Sequence, residues 1–283
     1  MNVLELISLP PLMSRTSGSP EIAIGLIDGP VVNDLTCFRD ANIEIVGPSF
    51  AARATGRNDA AAIHATSLAS VLVAARGSGA LAICPGVRLL NYPLFAPENS
   101  HEITAERLAS AIIGTIKSGA RIVNLSLSFN VQTPATDSLI NDALDYASHE
   151  NVIIVAATPN SSSFGGSVLT RHAAVIPVVA YGPSGLPFRD SNFSPSIGLR
   201  GVGAPGNITP VDAVKNEYAL TGTSAATAIV TGIVALLWSE FPHCAANEII
   251  AAVTRSAPVR TSVVPGMLNA WRAFQDLDRT RTN

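Results

Sequence analysis

Short apolar runs alternate along this chain with longer stretches whose apolar residues recur at helical spacing. Ile22–Ile27, Val87–Tyr92, Arg121–Leu127, Val152–Ala156 and Val175–Ala180 are nearly continuous in apolar residues and rich in β-branched ones. That pattern predicts strands buried on both faces. Helical periodicity predicts helices over His64–Ala75, Ala105–Ser118, Ser138–His149, Ser224–Ser239 and Ala246–Arg255. Strand alternating with helix predicts an α/β fold, a doubly wound, mostly parallel sheet flanked by helices. Residues 1–20 end in the polar, turn-rich cluster Ser14-Arg15-Thr16-Ser17-Gly18-Ser19-Pro20 and are expected to form a loose N-terminal lead-in. Residues 21–283 hold no internal repeat and no linker, so they are expected to form one domain.

Composition narrows the classes. The chain has 283 residues, of which 47% are hydrophobic and 14% charged, enough for one large core and little disorder. A net charge of −3 with no basic stripe argues against a nucleic-acid partner. The three cysteines, Cys37, Cys84 and Cys244, show no paired spacing, so free buried thiols in a reducing compartment are expected. The N-terminus lacks a basic segment, and Glu5, Pro10 and Pro11 interrupt its apolar run, which makes a poor signal peptide. The most apolar stretch, Ala225–Trp238, suits a core helix better than a membrane span. A cytoplasmic protein with no membrane partner is the expectation. The sequon Asn192-Phe193-Ser194 carries no weight there.

Three segments place a polar residue at the edge of an apolar element. Asp28 follows the first predicted strand and is turned away by Gly29-Pro30. His64 is expected to open one apolar helix. Ser224 opens another after Thr221-Gly222-Thr223. In such sheets, functional groups gather at the carboxyl ends of strands. A serine hydroxyl is a weak nucleophile until a base takes its proton. Histidine suits that task, with an ordinary pKa of about 6.5. A buried aspartate orients the imidazole and stabilises its cation. A serine at a helix N-terminus has backbone donors near developing negative charge. Taken singly, the bland readings are a cap serine, a turn aspartate and a core histidine. Their order, Asp…His…Ser, is one of the few that recur in serine hydrolases.

These segments resemble the three signatures of the subtilisin-like serine peptidases, or subtilases, and the likeness in order and spacing runs over roughly residues 21–275. It implies the subtilisin-like fold, with Ser224 as nucleophile, His64 as base and Asp28 as its partner. Val155-Ala156-Ala157-Thr158-Pro159-Asn160 occupies the place of the family's oxyanion segment, so Asn160 is the matching side-chain donor. Val123-Asn124-Leu125-Ser126-Leu127-Ser128 resembles the strand that pairs with extended substrate. Ser126, Leu127 and Ser128 are the implied contacts, by β-augmentation. Pro265-Gly266-Met267-Leu268-Asn269-Ala270 resembles the family's closing segment. Leu26-Ile27-Asp28-Gly29-Pro30-Val31 followed by Cys37-Phe38 most resembles bacterial proteases that mature cyanobactins and related ribosomal peptides. An endopeptidase acting on a precursor peptide, removing a leader or a follower, is therefore expected.

The chain also departs from the family pattern. Ala65 stands for the usual glycine after the histidine, Pro159 for the glycine before the asparagine, and Ala225 and Ala228 for methionine and proline. None removes a catalytic side chain. Pro159 restricts Thr158 and deletes a backbone donor, which makes the Asn160 loop the least secure part of the site. No long pro-segment precedes residue 21, so folding is expected to need no cleaved chaperone domain, or one supplied separately. Gly201-Val202-Gly203-Ala204-Pro205-Gly206 satisfies a dinucleotide-binding pattern literally, but no helical pattern follows it. No cofactor is expected. His101, His149, His172 and His243 lack metal-ligand spacing, and no acidic cluster resembles the calcium loops of many subtilases, so no metal is expected. Two rivals remain: a peptide macrocyclase or ligase using the same acyl-enzyme, and an inactive peptide-binding module of the same fold.

Overall fold

The structure, a computed structural model, describes residues 3–47, 59–94, 103–127, 129, 133–208, 220–257 and 261–282. In chain order it forms α1 (Pro10–Arg15), β1 (Ala23–Asp28), β2 (Asn42–Ile45), α2 (Ala60–Val73), β3 (Arg88–Pro93) and α3 (Ala105–Lys117). There follow β4 (Ile122–Leu125), α4 (Pro134–His149), β5 (Ile153–Ala157), α5 (Val168–Arg171), β6 (Val175–Tyr181), α6 (Pro195–Arg200) and β7 (Val202–Pro205). The short strands β8 (Asn207–Ile208) and β9 (Leu220–Thr221) pair antiparallel ahead of α7 (Thr223–Glu240), α8 (Ala246–Ser256) and α9 (Ala270–Thr282).

Seven strands form one sheet in the order β2-β3-β1-β4-β5-β6-β7. Every pairing in it is parallel. The chain leaves β1 for one side of the sheet (β2, β3) and returns to the other at β4. The winding therefore reverses beside β1, the place in such sheets where functional groups gather at the carboxyl ends of the strands. Asp28 is the last residue of β1, and Ser126 follows the last residue of β4.

Two apolar layers sandwich the sheet, as a parallel sheet requires. One contains α2 and α7 packed on Ile24, Leu26, Val155, Ile176 and Val178. The other contains α3 and α4 packed on Ala23, Ile27, Val123 and Ile154. Alternating residues of β1 serve opposite layers, the period-two geometry of a strand. α7 is apolar on all sides and buried from Thr223 to Trp238 apart from Ser224. By length and composition it could cross a membrane, but here it is the central helix of the core.

Several expectations need correction. Residues 3–20 are not a loose lead-in. Ile7, Leu9 and Leu12 are fully buried in the main core. Arg76 fastens the segment by donating to the Met13 carbonyl at 2.6 Å and the Thr16 carbonyl at 2.8 Å. The stretch 201–206 contains the edge strand β7, which the sequence pattern did not predict. Strands β2, β7, β8 and β9 and helices α1, α5, α6 and α9 lie outside the predicted elements.

Candidate active site

Asp28 ends a fully buried strand and is itself 1% exposed. Its Oδ1 accepts from the Gly29 N–H at 2.8 Å and lies 2.9 Å from His64 Nδ1. Its Oδ2 is buried with no hydrogen-bond partner in the structure, and Pro30 has no N–H to give it. The turn after Asp28 is held from β3. Asn91, fully buried, donates to the Gly29 carbonyl at 3.0 Å and accepts from the Val31 N–H at 2.9 Å. Gly29 is required here because a Cβ would lie 2.2 Å from the Ala61 carbonyl oxygen. That close approach brings β1 and α2 together.

His64 does not open its helix. α2 begins at Ala60, capped by Asp59, whose side chain accepts from the Ala61 N–H at 3.0 Å. His64 thus sits in the second turn, with its ring one-third exposed. Burial alone would lower its pKa. The charge and hydrogen bond of Asp28 outweigh that, and the pKa is raised above the ordinary 6.5. With Nδ1–H committed to Asp28, neutral His64 carries its lone pair on Nε2.

Ser224 is the second residue of α7. Gly222 caps the helix at φ +86°, a conformation that favours glycine. The Ser224 hydroxyl donates to the Ser126 carbonyl at 3.1 Å, and the Ser126 hydroxyl donates back to the Ser224 carbonyl at 3.2 Å. This reciprocal pair fastens the end of β4 to the start of α7. The nucleophile candidate is thus parked on a backbone carbonyl rather than on His64.

Asn160 is exposed beside this junction. The single Thr223 hydroxyl proton is shared between the Thr158 carbonyl at 2.9 Å and Asn160 Oδ1 at 3.1 Å. With its oxygen engaged, Asn160 has its NH₂ as the group to offer a ligand. The loop carrying it is well anchored despite Pro159. Thr158 donates to the Val178 carbonyl through both N–H and hydroxyl at 3.0 Å. Asn192, 5% exposed, accepts through Oδ1 from the N–H groups of Ser161 and Ser163, each at 3.1 Å, and from the Ser161 hydroxyl at 2.9 Å.

Of the implied substrate contacts, Ser126 and Leu127 lie just past β4, and both are buried. Leu127 belongs to the apolar layer with α3 and α4, so its side chain is committed to the core. Ser128 and His101 lie outside the described residues. His149 is exposed beside Glu150, His172 pairs with Asp145 at 3.1 Å, and His243 is exposed. Among the described residues, no group of three metal-ligating side chains is found.

A sequence profile described as the subtilase family matches residues 20–279. The chain belongs to the subtilase family. Subtilisin DY of Bacillus licheniformis is 27% identical over 232 residues, 81% of this chain and 80% of its own length. The thermostable alkaline protease of Halalkalibacterium halodurans is 26% identical over 217 residues, 75% of this chain but 58% of that protein. This subtilase chain therefore spans well under two thirds of some curated relatives. Among solved structures, the protease domain of PatA is 27% identical with a TM-score of 0.83, covering 93% of this chain and 97% of that one. The prenylagaramide maturation protease PagA is 27% identical with a TM-score of 0.81, covering 95% and 98%. The subtilisin-like architecture and the narrower likeness to maturation proteases both stand.

The sequence assigned no role to the side chains of Asn91, Asn124, Asn192, Thr223 and Thr231. One signal was visible for two of them. Asn91 in Leu89-Leu90-Asn91-Tyr92 and Asn124 in Ile122-Val123-Asn124-Leu125 are amides inside apolar strands. Buried amides need partners, so such residues mark a polar junction.

Proposed function

We propose that this subtilase is a serine endopeptidase that cuts an extended segment of a ribosomally made precursor peptide, removing a leader or a follower. The observation that carries the reading is the His64–Asp28 pair. A buried carboxylate fixes one ring nitrogen and leaves the other as a base, at the same carboxyl end of the sheet as a serine on a helix N-terminus. The likeness to the maturation proteases PatA and PagA supports the substrate class. The three cysteines are free and buried, which accords with a cytoplasmic setting.

In this reading a peptide enters extended and pairs with the backbone past β4. Its N–H takes the Ser126 carbonyl, which releases the Ser224 hydroxyl toward His64. Ser224 Oγ bonds to the scissile carbonyl carbon as its proton passes to His64 Nε2. The Asn160 NH₂ and the Ser224 N–H receive the oxyanion. Collapse breaks the C–N bond, and His64 returns the proton to the leaving amine. Water, activated by the same histidine, then releases the acyl group. Asp28 stabilises the imidazolium at each stage.

A fluorophosphonate probe tests this directly. The expected adduct is on Ser224, located by peptide mass spectrometry, and is lost in His64→Ala and in Ser224→Ala. A folded protein that never labels would sink the peptidase reading in favour of an inactive peptide-binding module. The product's mass separates hydrolysis, which adds water, from macrocyclisation, which does not.

A further inference from the structure

α7 carries threonines at 223, 227 and 231, one turn apart on one face and all buried. A threonine inside a helix commonly donates to the carbonyl four residues back. Thr227 does so, to the Thr223 carbonyl at 2.6 Å. Thr231 does not. Its hydroxyl leaves the helix and donates to Asn124 Oδ1 in β4 at 2.9 Å. Asn124, fully buried, donates through Nδ2 to the Ser126 hydroxyl at 2.9 Å. Ser126 Oγ donates to the Ser224 carbonyl at 3.2 Å. The chain of bonds leaves α7 at Thr231 and returns to it seven residues earlier, at Ser224. Nothing about packing demands a hydroxyl at 231, since valine has nearly the same shape.

We infer that Thr231 is a positioning residue for the proposed reaction: through Asn124 it orients Ser126, and through Ser126 it fixes the backbone and resting hydroxyl of Ser224. The inference rests on the peptidase reading. The relay has a direction. Thr231 satisfies the amide oxygen, so the amide NH₂ faces Ser126, and the Ser126 proton is left for the Ser224 carbonyl. Remove the Thr231 proton and Asn124 Oδ1 becomes a buried acceptor without a donor. Turning the amide over lets Oδ1 take the Ser126 proton and leaves the buried NH₂ facing position 231 as the unpaired group instead. The Ser224 carbonyl loses its tether, and the clamp between β4 and α7 is halved. The peptide-pairing carbonyl of Ser126 stays in place, so chemistry is affected more than binding.

The test compares Thr231→Val and Thr231→Ser with the wild-type chain. The readouts are the rate of fluorophosphonate labelling at Ser224, and kcat and KM on a fluorogenic peptide that the wild type cleaves. Thr231→Val is expected to lower kcat and labelling rate about tenfold, the scale of one hydrogen bond, with KM within about twofold. Thr231→Ser, which keeps the hydroxyl, is expected to restore both to within about twofold of wild type. If Thr231→Val fails to fold, Thr231→Ala is the second hydroxyl-free variant. Wild-type kcat in a folded hydroxyl-free variant overturns the inference. So does a serine variant as slow as the valine one. A folded wild type that neither labels nor cleaves overturns the peptidase reading itself, a distinguishable result.

Discussion

The two halves of the site are held by different physics. On the base side, a charge does the holding. Asp28 is buried and anionic, it is met by the His64 ring at 2.9 Å, and the neighbouring turn is fixed by Asn91. On the nucleophile side, neutral hydrogen bonds do the holding. Ser224 and Ser126 exchange hydroxyl-to-carbonyl bonds, Thr223 holds Asn160, and Asn192 gathers three donors beneath the loop. Charged hydrogen bonds are roughly twice as strong as neutral ones. The base is therefore assembled before substrate arrives. In the proposed reaction the Ser224 hydroxyl is parked on the Ser126 carbonyl, where an incoming peptide would release it.

The largest effect comes from removing the charge while keeping its shape. Asp28→Asn is expected to lower kcat by about 10⁴-fold, because an amide no longer fixes the tautomer or stabilises the imidazolium. The pH dependence sharpens the point. Activity requires neutral His64, so kcat/KM is expected to rise with pH through an inflection above the ordinary 6.5. Asp28→Asn removes both causes that raise the pKa and leaves burial, so the residual activity inflects at lower pH. A pH–rate profile of each variant checks this, and an unmoved inflection would show that Asp28 does not set it. The sign for stability is opposite to that for activity. A raised folded-state pKa means that the charged pair stabilises the fold fully below the ordinary value. That contribution is lost as pH rises through the folded one. The form that works is the one that the pair stabilises less.

The next effect falls on the neutral side. Asn160→Ala is expected to lower kcat by about 10²–10³-fold with KM little changed, since its donor acts on the transition state. Fluorophosphonate labelling at Ser224 is expected to persist at a reduced rate. A KM effect with unchanged kcat would instead make Asn160 a binding residue.

The same contrast explains what the sequence disclosed. Asp28 and Ser224 were legible because each stands at a local boundary, a strand end and a turn before a helix, whereas His64, inside its helix, was legible through its place in the order Asp…His…Ser. Their partners were not, because they act over long range. Thr231 meets Asn124 across 107 residues, and Asn192 meets Ser161 across 31. Asn192 had even been seen, but as part of a sequon without meaning, when its value lies in a buried carbonyl oxygen. The fold follows the same logic. Central strands buried on both faces announced themselves by continuous apolarity. The edge strand β2, mostly exposed, carries no such run, and β7 is hidden by Gly201 and Gly203. In α1, two prolines read as loop, although proline suits the first turn of a helix. The apolar residues of this N-terminal segment, Ile7, Leu9 and Leu12, reach the core.

Asn192 offers the smallest and most local way to break the comparison. Asn192→Ala removes the acceptor for two N–H groups and one hydroxyl in the turn that follows Asn160. Those groups lie in a half-exposed loop, so water can replace the lost bonds, and the fold should survive with a modest drop in Tm. Asn160 itself keeps its bond from Thr223. The donor is therefore retained but held less firmly, and kcat is expected to fall about tenfold, well short of Asn160→Ala. The Asp28–His64 pair is untouched, so the pH–rate inflection should stay where it is in wild type. A fall as large as that of Asn160→Ala would mean that the Asn192 anchor, rather than Thr223, holds the oxyanion donor in place. A shifted inflection would mean that the two halves are coupled after all.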